Sequence, residues 1–425
     1  MSYDFILKGD IAYSRTVSEI STLKDSYLVC KCGICQGVYD EIPKEYQDLP
    51  VLDYSGKLLI PGMSDLHVHA PQYTYRGTGM DLELLDWLST YTFPEEAKFQ
   101  DFSYAKEAYS YFTDDLRRSY TTRAVIFATV HPEATVELMD QLEASGLVTH
   151  VGKVNMDRNS TANLDEGSAE ESMKNTRLWL SSIEGRYART FPILTPRFIP
   201  SCSDQLMEDL GKLAHEKCIR IQSHLSENPD EIRWVSELVP ASTCYANAYE
   251  MFGHMGSPEC PTVMAHCVYS DEREMEILGS FGAYIAHCPS SNMNVASGIA
   301  PIKRFLARDL HVGLGTDVAG GTSLNMLQTI RLAIQSSKMY YRLIDSSCKP
   351  LTFEEGFYLA TAGGGAYFGK VGSFEKGYAC DVLVLDDSQI RSPRRLSIKE
   401  RVERACYIDN DVHLIGKFVN GRQII

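Results

Sequence analysis

The sequence lacks the features of several specialised protein classes. It contains no apolar run of about 18 residues, so we expect no membrane span. Its opening segment, MSYDFILKGD, has an early acidic residue and no long apolar core, so we expect no secretory signal. Basic residues are outnumbered, because 41 Lys and Arg oppose 56 Asp and Glu for a net charge of −15. This balance argues against nucleic-acid binding.

Cysteine is present but is not concentrated in one region. The 12 cysteines are scattered along the chain, and without a secretory signal they indicate reduced thiols, so we expect a cytoplasmic protein. Cys30, Cys32 and Cys35 do lie close together. A zinc or iron–sulfur site there would need a fourth ligand and a second loop of similar spacing, and the sequence has no second such cluster. A strand and turn of a β domain is the simpler interpretation.

Length and composition allow a large core. The chain has 425 residues, of which 44% are apolar and 23% charged, and this favours one large globular domain with a smaller one. Both ends have strand character, so we expect residues 1–60 and 376–425 to form one small β-sandwich domain. The strand-like segments are YDFILKG, DSYLVCKCG, GVYDEIP and GKLLIPG at one end, and KGYACDVLVLD and HLIGKFVNGRQII at the other.

Residues 61–375 alternate short apolar runs with amphipathic helical segments. About eight such alternations predict a (β/α)₈ barrel of the TIM type with insertions. A doubly wound open sheet is the alternative, but a Gly-rich dinucleotide fingerprint is missing after the first strand. The candidate strands are MSDLHVH, TTRAVIFATV, THVGKVNM, FPILTPRF, CIRIQSHL, TVMAHCV, AYIAHCP and HVGLGTDV.

Polar or aromatic residues stand at the ends of most of these runs. In a barrel the carboxyl ends of the strands converge on one face, where active sites lie. We therefore expect these side chains to meet in the folded protein. They are His67 and His69, Arg197 and Phe198, His224 and Glu227, His266, His287, and Asp317.

The pair His67 and His69 suggests a metal site. Strand side chains alternate, so both imidazoles point to one side. His224 and Asp317 would add a nitrogen and a carboxylate oxygen, a set that suits zinc and also iron, and such an ion lowers the pKa of a bound water. Taken singly, histidines also occur in ordinary cores, and Asp317 also suits a turn or a helix cap. The histidines interpreted as structural are His131, His150, His215, His254, His311 and His413.

Ordered motifs along nearly the whole chain resemble those of the amidohydrolase superfamily. They are PGMSDLHVHAPQ, QSHLSEN, MAHC, IAHCPSSN and GLGTDVAGG, followed by ATAGGGAYFG and GSFEKGYACDVLVLD. The segments YRGTGMDLELLDWLSTYTFPEE, LTPRFIPSCSDQLM and HLSENPDEI resemble those of members that deaminate guanine. The chain departs from the pattern at Cys267, where many members have a glycine, and at Pro71, which stiffens the loop after His69.

The resemblance implies a metal-dependent hydrolase with one ion per chain. His67, His69, His224 and Asp317 would bind Zn²⁺, with Fe²⁺ as the other candidate. Binuclear members carry a lysine at the end of the fourth strand, whereas LTPRF has Arg197 there, so one ion is expected. Members of the superfamily are commonly dimers. We therefore expect a homodimer that acts on a small molecule and not on nucleic acid or membranes.

The resemblance also implies catalytic roles in the conversion of guanine to xanthine and ammonia. Glu227 would carry a proton from the attacking water to a ring nitrogen, a kind of step that contributes about 10²–10⁴-fold in rate. His266 would hydrogen-bond to the attacking group. Asp317 would assist as a base beside the metal.

A second set of residues would recognise the purine. Arg197 would donate to O6, Gln72 would pair with the purine edge, and Phe198 would cover the ring face. His224, together with the catalytic carboxylates Glu227 and Asp317, would also contact the substrate. For Arg197 the alternative is a structural salt bridge with a barrel carboxylate.

Two other functions are compatible with parts of this pattern. A deaminase or chlorohydrolase for another aminated ring would share the metal residues, although LTPRF and HAPQ favour guanine. A non-catalytic barrel scaffold would be expected to have lost a ligand or the proton carrier. The sequence retains the four candidate ligands and Glu227, and this favours an enzyme.

Overall fold

The structure, a computed structural model, describes residues 4–161 and 163–425. Tyr3, the first residue of the predicted strand YDFILKG, lies outside this part of the chain. The strands found in the described residues are β1 Phe5–Thr16, β2 Glu19–Lys31, β3 Ile34–Tyr39, β4 Val51–Pro61, β5 Met63–His69, β6 Thr121–Phe127, β7 Val148–Gly152, β8 Val154–Asn155, β9 Thr190–Pro192, β10 Thr195–Pro196, β11 Gln222–Leu225, β12 Val263–His266, β13 Tyr284–His287, β14 His311–Leu314, β15 Val382–Asp386, β16 His413–Val419 and β17 Arg422–Gln423.

The α-helices lie mostly between the central strands, as the alternating pattern predicts. Their amphipathic faces pack on the strands and leave polar side chains in solvent. They are α1 Leu84–Trp87, α2 Phe93–Glu96, α3 Phe102–Arg118, α4 Pro132–Ser145, α5 Ala169–Ile183, α6 Asp204–Lys217, α7 Pro229–Leu238, α8 Tyr245–Met251, α9 Glu272–Phe281, α10 Pro289–Asn294, α11 Ile302–Leu306, α12 Met326–Leu343, α13 Phe353–Tyr358 and α14 Ile398–Tyr407.

The central strands form the predicted (β/α)₈ barrel. Parallel strands follow one another in the order β5-β6-β7-β9 and β11-β12-β13-β14. The sheet closes at two seams, because β14 pairs with β5 at Leu314 and Asp65 and Leu194 after β9 bridges to Ile221 before β11. Strands such as β6, β12 and β13 are buried along their whole length, which explains why they are apolar runs without alternation.

The two ends of the chain form one sheet, which confirms the prediction of a small β domain built from both termini. Its strand order is β17-β16-β15-β4-β1-β2-β3. The sheet folds over on itself, because Ile34 of β3 bridges to Ala379 beside β15 and the rings of Phe5 and Phe418 lie 5.1 Å apart. The result is a sandwich-like domain with an apolar interior. The domain boundaries at residues 60 and 376 stay a prediction.

The cysteine cluster lies in this domain. Cys30 is in β2 and Cys35 is in β3, and the two are register partners. Cys32 occupies the turn between these strands with a φ of 51°. The segment GVYDEIP is a strand only as far as Tyr39, because the chain then turns into a short 3₁₀ helix at Lys44–Tyr46.

A buried ion pair joins the barrel to the small domain. Arg123 of β6 donates to Asp381 from Nε at 2.8 Å and from Nη2 at 3.3 Å, and the backbone N–H of Asn420 donates to the same carboxylate at 2.7 Å. Both charged side chains are buried. Within the described ranges, no helix combines the length and the apolar character that a membrane crossing requires.

Replacing Asp381 with alanine is expected to lower the free energy of unfolding by about 3–5 kcal/mol, because Arg123 would keep its buried charge without a carboxylate, with only the amide oxygen of Asn420 as an acceptor. Urea unfolding followed by circular dichroism measures the change. The matched control is Lys212→Met, which removes an exposed ion pair with Glu208 and should change stability by less than about 1 kcal/mol. Equal effects of the two substitutions would contradict the proposed importance of the buried pair.

Candidate active site

Four side chains from three barrel strands converge at the carboxyl end of the barrel. His67 and His69 end β5, His224 lies in β11, and Asp317 follows β14. The Nε2 atom of His69 lies 3.2 Å from Nε2 of His67 and 3.2 Å from Nε2 of His224. Oδ1 of Asp317 lies 3.3 Å from Nε2 of His67 and 3.4 Å from Nε2 of His69. The structure therefore brings together all four residues predicted to bind metal.

Several separations among these atoms suit ligands that share one ion. Ligand atoms at about 2.0–2.1 Å from zinc can lie about 3.3–3.4 Å from one another. Nε2 of His69 lies 3.2–3.4 Å from the ligand atoms of the three other residues, and Nε2 of His67 lies 3.3 Å from Oδ1 of Asp317. The ring of His224 is held in place by the backbone, because its Nδ1 atom lies 2.6 Å from the carbonyl oxygen of Arg197. His224 therefore turns the lone pair of Nε2 towards the cluster.

The electrostatics of the cluster also favour a bound cation. Burial lowers the pKa of His67, His69 and His224 well below the usual value, so the imidazoles are neutral, which is the form that binds metal. Burial raises the pKa of Asp317 to about 6. A nearby cation would favour the charged form of this carboxylate.

Glu227 and His266 lie beside the four ligands. Nε2 of His266 is 3.4 Å from Oε2 of Glu227 and 3.7 Å from Oδ2 of Asp317. Asn292 of α10 accepts a hydrogen bond from Nδ1 of His266 at 2.9 Å, and Ser297 donates to Oε1 of Glu227 at 3.1 Å. Burial, reinforced by the charge of Asp317, raises the pKa of Glu227 to about 8. The carboxylates of Glu227 and Asp317 therefore line one buried pocket. This arrangement suits proton transfer.

The segment after β11 fixes the position of Glu227. Asn228 caps the N-terminus of α7 in a capping box with Glu231. The carboxylate of Glu231 also accepts the backbone N–H of Glu227 at 3.0 Å. The SENPDE sequence therefore turns the chain from strand to helix at the point where Glu227 must face the cavity.

Asp65 is a buried residue of the site that the sequence analysis did not single out. Its carboxylate accepts hydrogen bonds from Thr316 Oγ1 at 2.5 Å and Thr316 N at 2.9 Å, and burial raises its pKa to about 7. It thereby joins β5 to the residue preceding Asp317. Asp65 shares the two-residue spacing of His67 and His69, and this spacing was a usable signal.

A pocket opens beside the candidate ligands, three of which, His69, His224 and Asp317, line it. It contains every residue predicted to contact substrate, including Gln72 and Phe198. Apolar side chains of the segment around α1, which lies within the motif YRGTGMDLELLDWLSTYTFPEE, form the remaining wall. The lining residues are His69, Gln72, Leu84, Trp87, Leu88, Arg197, Phe198, His224, Glu227, Glu231, His266, Ser291, Asp317 and Gly320.

Arg197 lines the pocket but also forms a buried salt bridge. Its Nη1 and Nη2 atoms donate to the two carboxylate oxygens of Glu96 at 2.6 and 3.1 Å. The structure is therefore compatible both with a substrate contact by Arg197 and with a structural salt bridge. The salt bridge differs from the predicted one, because its carboxylate belongs to α2, beside the pocket, and not to a barrel strand.

The two departures from the family pattern have clear local consequences. Cys267 has a φ of 49° and His266 a φ of 72°, a region that favours glycine. This explains why glycine suits position 267, and the buried cysteine here adopts the same conformation. Pro71 begins a short 3₁₀ helix, Pro71–Tyr75, where a proline is tolerated because the first N–H groups have no intrahelical partner.

The other histidines lie elsewhere. Among the described residues, neither the ligand cluster nor the pocket lining includes any of the six predicted to be structural. His150, for example, is a partly buried residue of β7, and desolvation lowers its pKa to about 3. His287 ends β13 and is buried, but it does not line the pocket.

Comparison with known proteins gives extensive matches. The model of the Amidohydrolase family matches residues 58–424. Guanine deaminase of Dictyostelium discoideum is 36% identical over 448 residues, covering 99% of this chain and 98% of that protein. The Homo sapiens guanine deaminase is 37% identical over 382 residues, with 87% and 83% coverage. A crystal structure of guanine deaminase from C. acetobutylicum with guanine bound in the active site has a TM-score of 0.95 and 40% identity, covering 99% and 100% of the two chains.

Proposed function

This chain belongs to the amidohydrolase family, and on that premise we propose that it hydrolyses guanine to xanthine and ammonia with one bound divalent metal ion. The observation that carries the proposal is the cluster of candidate ligand atoms of His67, His69, His224 and Asp317 beside a pocket that is also lined by Glu227, Arg197 and Gln72. Guanine deaminases matched over nearly the full chain support the choice of substrate.

We propose that His67, His69, His224 and Asp317 hold one Zn²⁺ ion. Three imidazole nitrogens and a carboxylate oxygen suit zinc, and Fe²⁺ accepts the same donors, so metal analysis distinguishes the two. No lysine lines the pocket in the described residues, which supports one ion and not a bridged pair. When bound, the ion supplies a Lewis acid that makes water acidic near neutral pH.

The proposed proton path runs through Glu227. Its carboxylate takes a proton from the attacking water and delivers it to N3 of guanine while the water oxygen bonds to C2, so that this carbon becomes tetrahedral. The new hydroxyl group on C2 then gives its proton to the amino group, the bond between C2 and that amino group breaks, ammonia leaves, and a carbonyl remains at C2. Asp317 lies beside this path as a second base, and His266 hydrogen-bonds to the attacking oxygen.

We propose that Arg197, Gln72 and Phe198, which line the pocket, contact the purine. Arg197 keeps N–H groups that are not used by Glu96 and can donate to O6 of guanine. Gln72 has a donor and an acceptor for the purine edge. Phe198 lies at the pocket wall, its ring 6.3 Å from that of Trp234, and can cover the ring face.

An ammonia-release assay tests the proposal. Purified protein with stoichiometric zinc is expected to convert guanine to xanthine, which is identified by chromatography. A panel of 8-oxoguanine, adenine, cytosine and a pterin tests for another aminated ring. Turnover of one of these without turnover of guanine would refute the substrate while leaving the metal site intact. A metal-loaded protein inert towards the whole panel would favour a scaffold.

Two further parts of the proposal concern the protein in the cell. We propose that it works as a homodimer, as members of the superfamily commonly do, and in the cytoplasm, which the distribution of cysteines supports. Sedimentation equilibrium at micromolar concentration tests the first part, and a monomer would refute it. Cell fractionation tests the second.

A further inference from the structure

We propose that Glu96 is a positioning residue that adapts the pocket to a neutral purine and disfavours the anionic product. This inference rests on the proposed function. Glu96 does not line the pocket itself but is buried directly behind Arg197 and Gln72. It acts on the purine through these two side chains.

The hydrogen bonds of Glu96 fix both recognition residues. Its Oε2 accepts from Nη1 of Arg197 at 2.6 Å, and its Oε1 accepts from Nη2 of Arg197 at 3.1 Å and from Nε2 of Gln72 at 2.9 Å. Because an ionised carboxylate only accepts, it holds the amide nitrogen of Gln72 on its own side. The amide oxygen of Gln72 then accepts from the backbone N–H of Ala319 at 3.3 Å.

These hydrogen bonds determine which N–H groups of Arg197 remain free to bind the purine. Arg197 has five N–H groups, and the two that face Glu96 are used. Phe93, three residues before Glu96 in α2, places its ring 5.1 Å from the guanidinium carbon of Arg197. One helical turn therefore supplies both a carboxylate and an aromatic surface to the same guanidinium.

Glu96 also neutralises the charge of Arg197. An unpaired guanidinium in a buried pocket would attract any anion strongly. Deamination places a second carbonyl beside N1–H of the purine, so xanthine is an imide and loses a proton more readily than guanine does. With the carboxylate of Glu96 in place, Arg197 offers directional donors to a neutral base, but the Arg197–Glu96 pair adds no net positive charge that would hold an anionic product. We therefore expect the Arg197–Glu96 pair to bind ionised xanthine less tightly than an unpaired arginine would.

The decisive experiment compares inhibition of guanine turnover by xanthine and by hypoxanthine in mildly alkaline buffer. Hypoxanthine lacks the C2 carbonyl and stays neutral under conditions where xanthine is largely ionised. In Glu96→Gln, the inhibition constant for xanthine is expected to fall at least about tenfold, while that for hypoxanthine changes less than about threefold. The KM for guanine is expected to rise, because the recognition side chains lose their orientation.

Glu95→Gln is the matched control. It makes the same chemical change one residue away, on a side chain that instead contacts Tyr104, Thr74 and Lys98. Its inhibition constants and KM should equal those of the wild type. Glu96→Asp keeps the charge and shortens the side chain, so it should raise KM for guanine without tightening xanthine binding.

The outcomes separate the two proposals. A wild type that releases no ammonia from guanine refutes the proposed function. An active wild type whose ratio of xanthine to hypoxanthine inhibition is unchanged in folded Glu96→Gln overturns the role of Glu96. If Glu96→Gln does not fold, Glu96→Asp decides, because an unchanged KM for guanine in that variant also overturns the inference.

Discussion

Replacing His69 with alanine is expected to lower kcat/KM for guanine by more than about a hundredfold and to reduce bound metal well below one ion per chain. Loss of a residue that merely orients a ligand typically costs about 10–100-fold in metal affinity or activity. His69 is closer to the centre of the site than such a residue. Its Nε2 atom lies within 3.4 Å of three other candidate ligand atoms.

Metal content separates this effect from misfolding. Elemental analysis of the purified variant, with circular dichroism to verify the fold, gives a measurement independent of activity. The control is His215→Ala, which removes an exposed histidine of α6 and should retain full metal and activity. Full metal occupancy in His69→Ala would show that another set of residues binds the ion.

The barrel could be predicted because several of its strands, such as β5, β6, β12 and β13, are buried on both faces. Each of the eight apolar runs contains or overlaps a barrel strand, and MSDLHVH coincides with β5 from Met63 to His69. The strands at the two ends of the chain were harder to delimit. Only the first three residues of GVYDEIP belong to β3. A half-exposed strand of this kind has a weaker apolar pattern, so its end could not be predicted from the sequence.

The candidate metal site could be predicted for a related reason. His67, His69, His224 and Asp317 occur at the carboxyl ends of recognisable strands, and barrel topology brings such ends together whatever their separation in sequence. Spacing on one strand and topology between strands were sufficient to propose the set. Metal identity and occupancy depend on competition between ions, which residue order does not encode.

The residues behind the pocket could not be predicted in this way. Glu95 and Glu96 are neighbours of the same type in FPEE, yet Glu96 is buried against Arg197, whereas the Glu95 side chain is 12% exposed and pairs with Lys98. The distinction depends on a partner that lies 101 residues further along the chain. Local pattern carries no information about such a contact, and tertiary packing alone decides it.

Replacing Glu227 with glutamine is expected to lower kcat for guanine by about 10²–10⁴-fold while leaving metal content unchanged. Glutamine has nearly the same shape, and its amide oxygen can still accept from Ser297, which donates to Oε1 of Glu227 in the wild type. The amide cannot take up and return a proton. Since Glu227 is not one of the four candidate ligands, the metal should remain bound.

The kinetic pattern identifies the kind of interaction that is lost. If Glu227 acts mainly in the transition state, kcat and kcat/KM for guanine should fall by similar factors, with KM little changed. Glu237→Gln makes the same change on an exposed part of α7 and should leave all three parameters as in the wild type. A Glu227→Gln variant that keeps kcat within about threefold of the wild type would exclude this carboxylate as the proton carrier, because losing general acid–base catalysis costs far more. The neighbouring carboxylate, Asp317, would then be the remaining candidate, since its Oδ2 lies 3.7 Å from the same His266 nitrogen.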